Sequence, residues 1–359
     1  MENLVSALSV FRGKRVLVTG DTGFKGSWLS LWLAEAGAEV YGFALPPGRI
    51  DDHFNVLKLA DRIQHHNGDI RHLDQLGACF ERAKPEFVFH LAAQALVRRS
   101  YRDPKETFDT NVGGSVNVLE CVRRTPSVRA LIYITSDKCY RNREWVWGYR
   151  ENDELGGHDP YSASKAAAEL VFSAYGDSFF RARPDFGFAS VRAGNVIGGG
   201  DWSEDRIVPD CLRALREGQP IVLRKPNATR PWQHVLEPLA GYLTLAAALK
   251  RDPQEFSGAW NFGPNPDAAR SVHDLVRGVV GAWGSGQIKV QSSSSDPHEA
   301  GLLHLNCDKA RHCLGWKPCW DFDRTVQETV AWYRDVASGS EVASVSVAQI
   351  QAYMESFHD

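Results

Sequence analysis

The chain has 359 residues, a formal charge of −3 and 43% hydrophobic residues, enough to bury one large core or two joined ones. A pI near 6.5 leaves no basic surplus to hold nucleic acid. No apolar run approaches the ~20 residues that span a bilayer, so no membrane partner is expected. Strands are predicted at 15–19, 39–44, 63–66, 87–91, 130–135 and 187–193, with helices clearest at 26–37, 72–83, 105–124 and 161–181. This alternation predicts an α/β fold with a parallel sheet covered on both faces. Beyond residue 200, Pro, Gly, Trp and Arg become dense and strands shorten, which predicts a smaller lobe over the C-terminal edge of the sheet. The stretch 322–357 reads as helical with a break at Gly339. Seven cysteines without a CxxC spacing read as reduced cytosolic thiols and not as a metal site, and Met1 to Val10 shows no secretory pattern.

The first predicted strand runs into Gly20-Asp-Thr-Gly23-Phe-Lys-Gly26 and then a helix. Gly20 allows the tight turn, Gly23 admits a pyrophosphate to the backbone, and Gly26 lets the helix sit close on the sheet. The free N–H groups of the helix start favour phosphate. This is the dinucleotide site of a Rossmann-type, doubly wound sheet. Asp21, inside the turn, is expected to oppose the pyrophosphate and weaken cofactor binding, so that Asp21→Ala tightens it.

A second constellation lies further on. Thr135-Ser136-Asp137-Lys138 ends one predicted strand, and Tyr161-Ser-Ala-Ser-Lys165 opens a predicted helix. Tyr161 and Lys165, four residues apart, share a helical face, where a cation can favour phenolate. Ser136, Asp137 and Lys138 would face the same substrate, giving an acid and a second amine besides the hydride chemistry.

These residues, with His90-Leu-Ala-Ala-Gln94, Asn111 and Arg192-Ala-Gly-Asn195, resemble the extended short-chain dehydrogenase/reductase family from about residue 12 to 320. Within it the chain resembles the sugar-nucleotide 4,6-dehydratases, which place an acid directly after the Ser/Thr, as Asp137 stands here. The Trp-rich strings Ser136–Glu151, Arg192–Trp202 and Arg230–Leu239 are similar to the CDP-glucose branch. The resemblance implies NAD as cofactor, CDP-glucose as substrate, a homodimer through 105–124 and 161–181, and a place in the cytoplasm. It implies an NAD-binding domain at 1–190, with 233–260 returning to it, and a mainly sugar-nucleotide-binding domain at 191–359.

It further implies Tyr161 as the O4 base, Lys165 on the nicotinamide ribose, Ser136 on the C4 oxygen and Asp137 as the acid for the departing hydroxyl. Lys138 stands where most such dehydratases carry Glu, and either removes the C5 proton or orients water or substrate. The cofactor set is Gly20, Thr22, Gly23, Phe24, Lys25, Gly26, Asp69, Ile70, Leu91, Ala92, Ala93 and Asn111, together with Tyr161 and Lys165. Asp69 would accept from the adenine amine. The second strand ends Gly42-Phe-Ala-Leu45, without the carboxylate that usually binds a ribose 2′-hydroxyl. The substrate set is Gln94, Asn195, Arg206, Arg230 and His298, with Trp202 and Trp232 either walling the base or lying in the core. A sugar-nucleotide 4-epimerase and a non-catalytic nucleotide sensor are the competing readings; Asp137 speaks against the first, and Tyr161 with Lys165 against the second.

Overall fold

The strands Arg15–Thr19, Phe87–His90 and Ala130–Ile134 send alternate side chains to two apolar faces, and that pattern builds the architecture. The computed structural model describes residues 4–265, 269–291 and 302–357. Its main sheet holds β1 (Arg15–Thr19), β2 (Glu39–Ala44), β3 (Gln64–Asn67), β4 (Phe87–His90), β5 (Ala130–Ile134), β6 (Gly187–Ala193) and a seventh strand, Gly258–Phe262. All neighbours pair in parallel, in the order seventh strand, β6, β5, β4, β1, β2, β3. Strand order therefore reverses between β1 and β4, where such sheets bind ligands.

Both faces are covered, as a parallel sheet requires. Val16, Val18, Phe87, Phe89 and Ile132 face a core shared with Trp28, Trp32 and the helix Leu236–Arg251. Leu17, Val88, Leu131 and Tyr133 face the other, with Phe172, Phe180 and Phe188. Each such fully buried side chain stabilises the fold by about 1.5–3 kcal/mol.

The predicted helix 105–124 forms as one helical run with a wider π turn inside it. Asp103 caps Pro104–Phe108, a wide turn spans Asp109–Gly114, and a regular helix resumes at Ser115–Arg124. Asp103 sets the start of the run by accepting from the Glu106 amide, and Gly113-Gly114, a poor helical pair, falls in the wider turn. Helix Pro160–Tyr175 starts on an Asp159 cap and a Pro in its first turn, which points Tyr161 and Lys165 toward the sheet's C-terminal edge.

Past β6, short strand pairs and the helices Ile207–Arg216 and Val272–Trp283 surround that edge. Two final helices, Phe322–Ala337 and Val342–Ser356, flank Gly339, which takes φ 97°. They brace helix Phe24–Glu35 from behind. Tyr353 meets Trp32 at 5.8 Å between ring centroids, and the Ser346 hydroxyl lies 2.9 Å from the Trp332 indole and 3.2 Å from His53.

Candidate active site

Above the switch point opens a cavity of about 1080 Å³. That is at the upper end of the usual ~300–1,000 Å³ for ligand sites, enough for a large ligand. One end is the glycine turn. Gly20 takes φ +79°, and a Cβ on Gly26 would stand 1.9 Å from the Gly20 carbonyl oxygen. No side chain caps the helix that follows, so its first amides are open to an anion. Gly20, Thr22, Gly23, Phe24, Lys25 and Gly26 line this end, and Asp69, Ile70, Leu91, Ala92 and Ala93 continue the wall. The shape and open amides fit a dinucleotide. Asp69 also holds Arg71 at 2.6 Å, and Thr22 donates to the Leu45 carbonyl.

Two expectations for this end are corrected. Asp21 does not face the phosphate site. It is fully buried, its Oδ2 lies 2.6 Å from His65 Nδ1, and it fills the space that a Cβ at Gly42 would occupy. Burial raises its pKa against the pull of His65; the His65 pKa is itself raised, by Asp21, against burial. Asn111 is also buried and does not line the cavity. Its amide accepts from the Gln94 N–H and donates to the Gln94 carbonyl and to Ser164, which clamps the loop after β4 to the helix carrying Tyr161.

The other end collects Ser136, Asp137, Lys138, Tyr161 and Lys165 on one wall. Ser136 donates to Asp137 Oδ1 at 3.0 Å, and Lys138 Nζ stands 3.2 Å from that oxygen and 3.4 Å from Asn195 Oδ1. Burial raises the Tyr161 pKa; Lys138, then Ser136, pull it back. Lys138 is thus the cation acting most on the phenol, where the sequence spacing pointed to Lys165. Burial lowers Lys165 to about 8, with the Glu169 charge opposing. Lys25 reaches from the glycine turn into this cluster; burial and then Arg206 lower it to about 7.

Of the substrate set, Asn195, Arg206 and Arg230 line the cavity, and Arg206 leans on Asp201 at 3.3 Å. Gln94 lines it too, but its amide is satisfied by Leu96 and Thr107, so it shapes the loop. His298 lies outside the described residues. Trp232 is on the wall, whereas Trp202 is core, edge-on to Tyr333. Sequence reasoning missed Arg98 and Asp205, which line the cavity 3.6 Å apart and join its two sides; nothing in their sequence context marks them. It also missed Glu169, whose signal was its place four residues after Lys165.

Comparison with known proteins agrees with this architecture. Residues 17–329 match the family described as GDP-mannose 4,6 dehydratase. The chain is 49% identical to CDP-glucose 4,6-dehydratase of Salmonella typhimurium (strain LT2), over 96% of this chain and 97% of the relative. UDP-glucose 4-epimerase of Thermus thermophilus, solved as a complex with NAD, shares 26% identity at a TM-score of 0.74, covering 89% of this chain and 99% of that one. The epimerase Mth375 of Methanothermobacter thermautotrophicus shares the fold at a TM-score of 0.79 and 22% identity, covering 93% and 96%. The chain belongs to the GDP-mannose 4,6 dehydratase family of extended short-chain dehydrogenases/reductases.

Proposed function

We propose that the chain is a CDP-glucose 4,6-dehydratase, a hydro-lyase that converts CDP-D-glucose to CDP-4-dehydro-6-deoxy-D-glucose for deoxysugar synthesis. The observation that carries this is the 49% identity, along nearly the full length, to a relative of that activity. When bound, NAD supplies a hydride acceptor for C4 and then a hydride donor for C6, so the net reaction is redox-neutral. The glycine turn and the open helix start would hold its pyrophosphate, and Lys165 its nicotinamide ribose.

Tyr161 takes the O4 proton while Ser136 hydrogen-bonds the same oxygen. The C4 carbonyl so formed acidifies C5. Lys138 removes the C5 proton, and Asp137, in its acid form, protonates O6 as water leaves. The 3.2 Å contact between Asp137 and Lys138 supports this reading, because both groups can then face neighbouring atoms of one sugar. Arg206, Arg230 and Asn195 offer donors suited to the substrate diphosphate.

The reading includes a homodimer through 105–124 and 161–181, where Phe108, Leu170 and Phe179 are 39%, 61% and 44% exposed. It places the enzyme in the cytoplasm; the described cysteines are all free, and no described helix is long and apolar enough to cross a membrane. The test is CDP-glucose carrying deuterium at C4. The label should reappear at C6 of a product lighter by one water, with no net NADH. Retained mass would favour the 4-epimerase, and one NADH released per turnover an ordinary dehydrogenase.

A further inference from the structure

Behind the cavity wall lies a charge pair that these reaction steps do not use. Tyr161, Lys165 and Glu169 follow at four-residue spacing on helix Pro160–Tyr175 and share one face. The Glu169 carboxylate is buried and takes a two-pronged grip from Arg192 of β6, Nη2 to Oε2 at 2.8 Å and Nε to Oε1 at 3.0 Å. Thr135 donates to Oε1, and Ser190 to Oε2 at 2.8 Å. The remaining arm of Arg192 donates to the Tyr140 hydroxyl at 2.7 Å and to the Glu151 carbonyl at 2.9 Å.

The partners are the roots of the catalytic wall. Thr135 immediately precedes Ser136-Asp137-Lys138, Arg192 leads three residues later to Asn195, and Glu169 lies one turn below Lys165. One ion pair therefore ties together the three segments whose tips face the substrate. Apolar packing could join helix to sheet without burying two charges, and would often be as stable. What it would not provide is an anion beside Lys165. His90 of β4, Cys139 after β5, Lys25 of the glycine turn and Tyr161 also stand near that amine. Burial keeps the His90 imidazole and the Cys139 thiol uncharged near neutral pH, and Lys25 adds only positive charge. Arg192 holds Glu169 ionised against its burial.

Resting on the roles proposed above for Tyr161 and Lys165, we propose that Glu169, gripped by Arg192, is the positioning residue of this site. It locks the catalytic helix in register and supplies the negative charge that keeps Lys165 an ammonium. Lys165 is drawn down to about 8 by burial even with this anion in place. Without it the ammonium would be lost closer to neutrality, and the hold on the ribose with it.

The test uses Glu169→Gln, which keeps the shape and removes the charge. Turnover of CDP-glucose and NAD binding, read by tryptophan quenching without substrate, are each followed against pH. The alkaline limb of kcat should move down by about one pH unit, with kcat near pH 8 about fivefold lower and KM within about threefold. NAD binding should weaken first on the alkaline side. Arg192→Lys breaks the same fork but leaves the carboxylate its charge, so its limb should stay at the wild-type position. Equal shifts in both variants, or a wild-type profile in Glu169→Gln, would overturn the proposal. Should Glu169→Gln fail to fold, Glu169→Asp, with its charge drawn back one methylene, decides: a limb shifted partway supports it, an unshifted limb overturns it. A wild-type protein that makes no deoxy product sinks the proposed function alone; the NAD-binding arm still decides this one.

Discussion

The two ends of the cavity are built in opposite ways. At the glycine turn, backbone makes the surface, and Asp21 is folded inward onto His65. At the wall of Ser136, Asp137, Lys138, Tyr161 and Lys165, side chains make the surface, and backbone geometry is set from behind by Glu169 and Arg192. At the turn, shape selects the ligand and the Asp21 carboxylate is hidden. At the wall, charge is displayed, and the hidden part is the device that aims it.

The comparison can be broken by removing one element from each side. Tyr161→Phe takes a proton acceptor from the wall and leaves its packing; kcat should fall by about 10³ to 10⁴, with substrate and NAD binding within about threefold by calorimetry. Binding lost in parallel would mean that the wall is also a shape device. Gly26→Ala is the counterpart at the turn, where the new methyl would meet the Gly20 carbonyl at 1.9 Å. NAD affinity should drop about 100-fold, and the melt should show about 2 kcal/mol of lost stability. An unchanged affinity would end the claim that backbone shape governs that end.

Asp137→Asn sharpens the wall's division of labour. Loss of water should slow about tenfold or more relative to C4 oxidation, so reduced nicotinamide should build up in single-turnover absorbance. Equal slowing of both steps would remove Asp137 from the specific acid role.

The smallest effect is expected at Asp21, and it is one of stability. Asp21→Asn should leave NAD affinity within about twofold and cost about 1–2 kcal/mol. The pH dependence follows from two raised values. His65, raised above 6.5, contributes stability that is complete below that pH and lost as pH rises through its folded value. Asp21, also raised, favours its protonated form in the fold, which again weakens the fold as pH rises. The gap between wild-type and Asp21→Asn melting temperatures should narrow from about pH 6 to about pH 9. A gap that widened would reverse the assignment.

Much of this was legible in the chain itself. The apolar runs alternating with helical stretches and the glycine spacing specify β1 to β6 and the phosphate turn, because both are local patterns. The Tyr161–Lys165 pair is local too. What escaped reading is what depends on direction across the sheet. Asp21 sits among phosphate-binding glycines, and only the Gly42 gap on the neighbouring strand shows that its side chain turns inward. Lys138 acts on Tyr161 more than Lys165 does because the strand end and the helix converge, which no spacing along the chain reveals. Asn111 and Gln94 sit in motif positions, yet they bond to one another and to the loop, since buried amides must be satisfied before any ligand is.

The bracing of the phosphate turn from behind has a consequence for synthesis. Helix Phe24–Glu35 is translated long before Tyr353 and Ser346, which meet Trp32 and His53. Until then that helix lacks its last packing partner. Firm cofactor binding is therefore expected only once that late segment has been made. A frameshift or stop codon just past Gly339 would strike the nucleotide site although every glycine of its turn had been translated correctly.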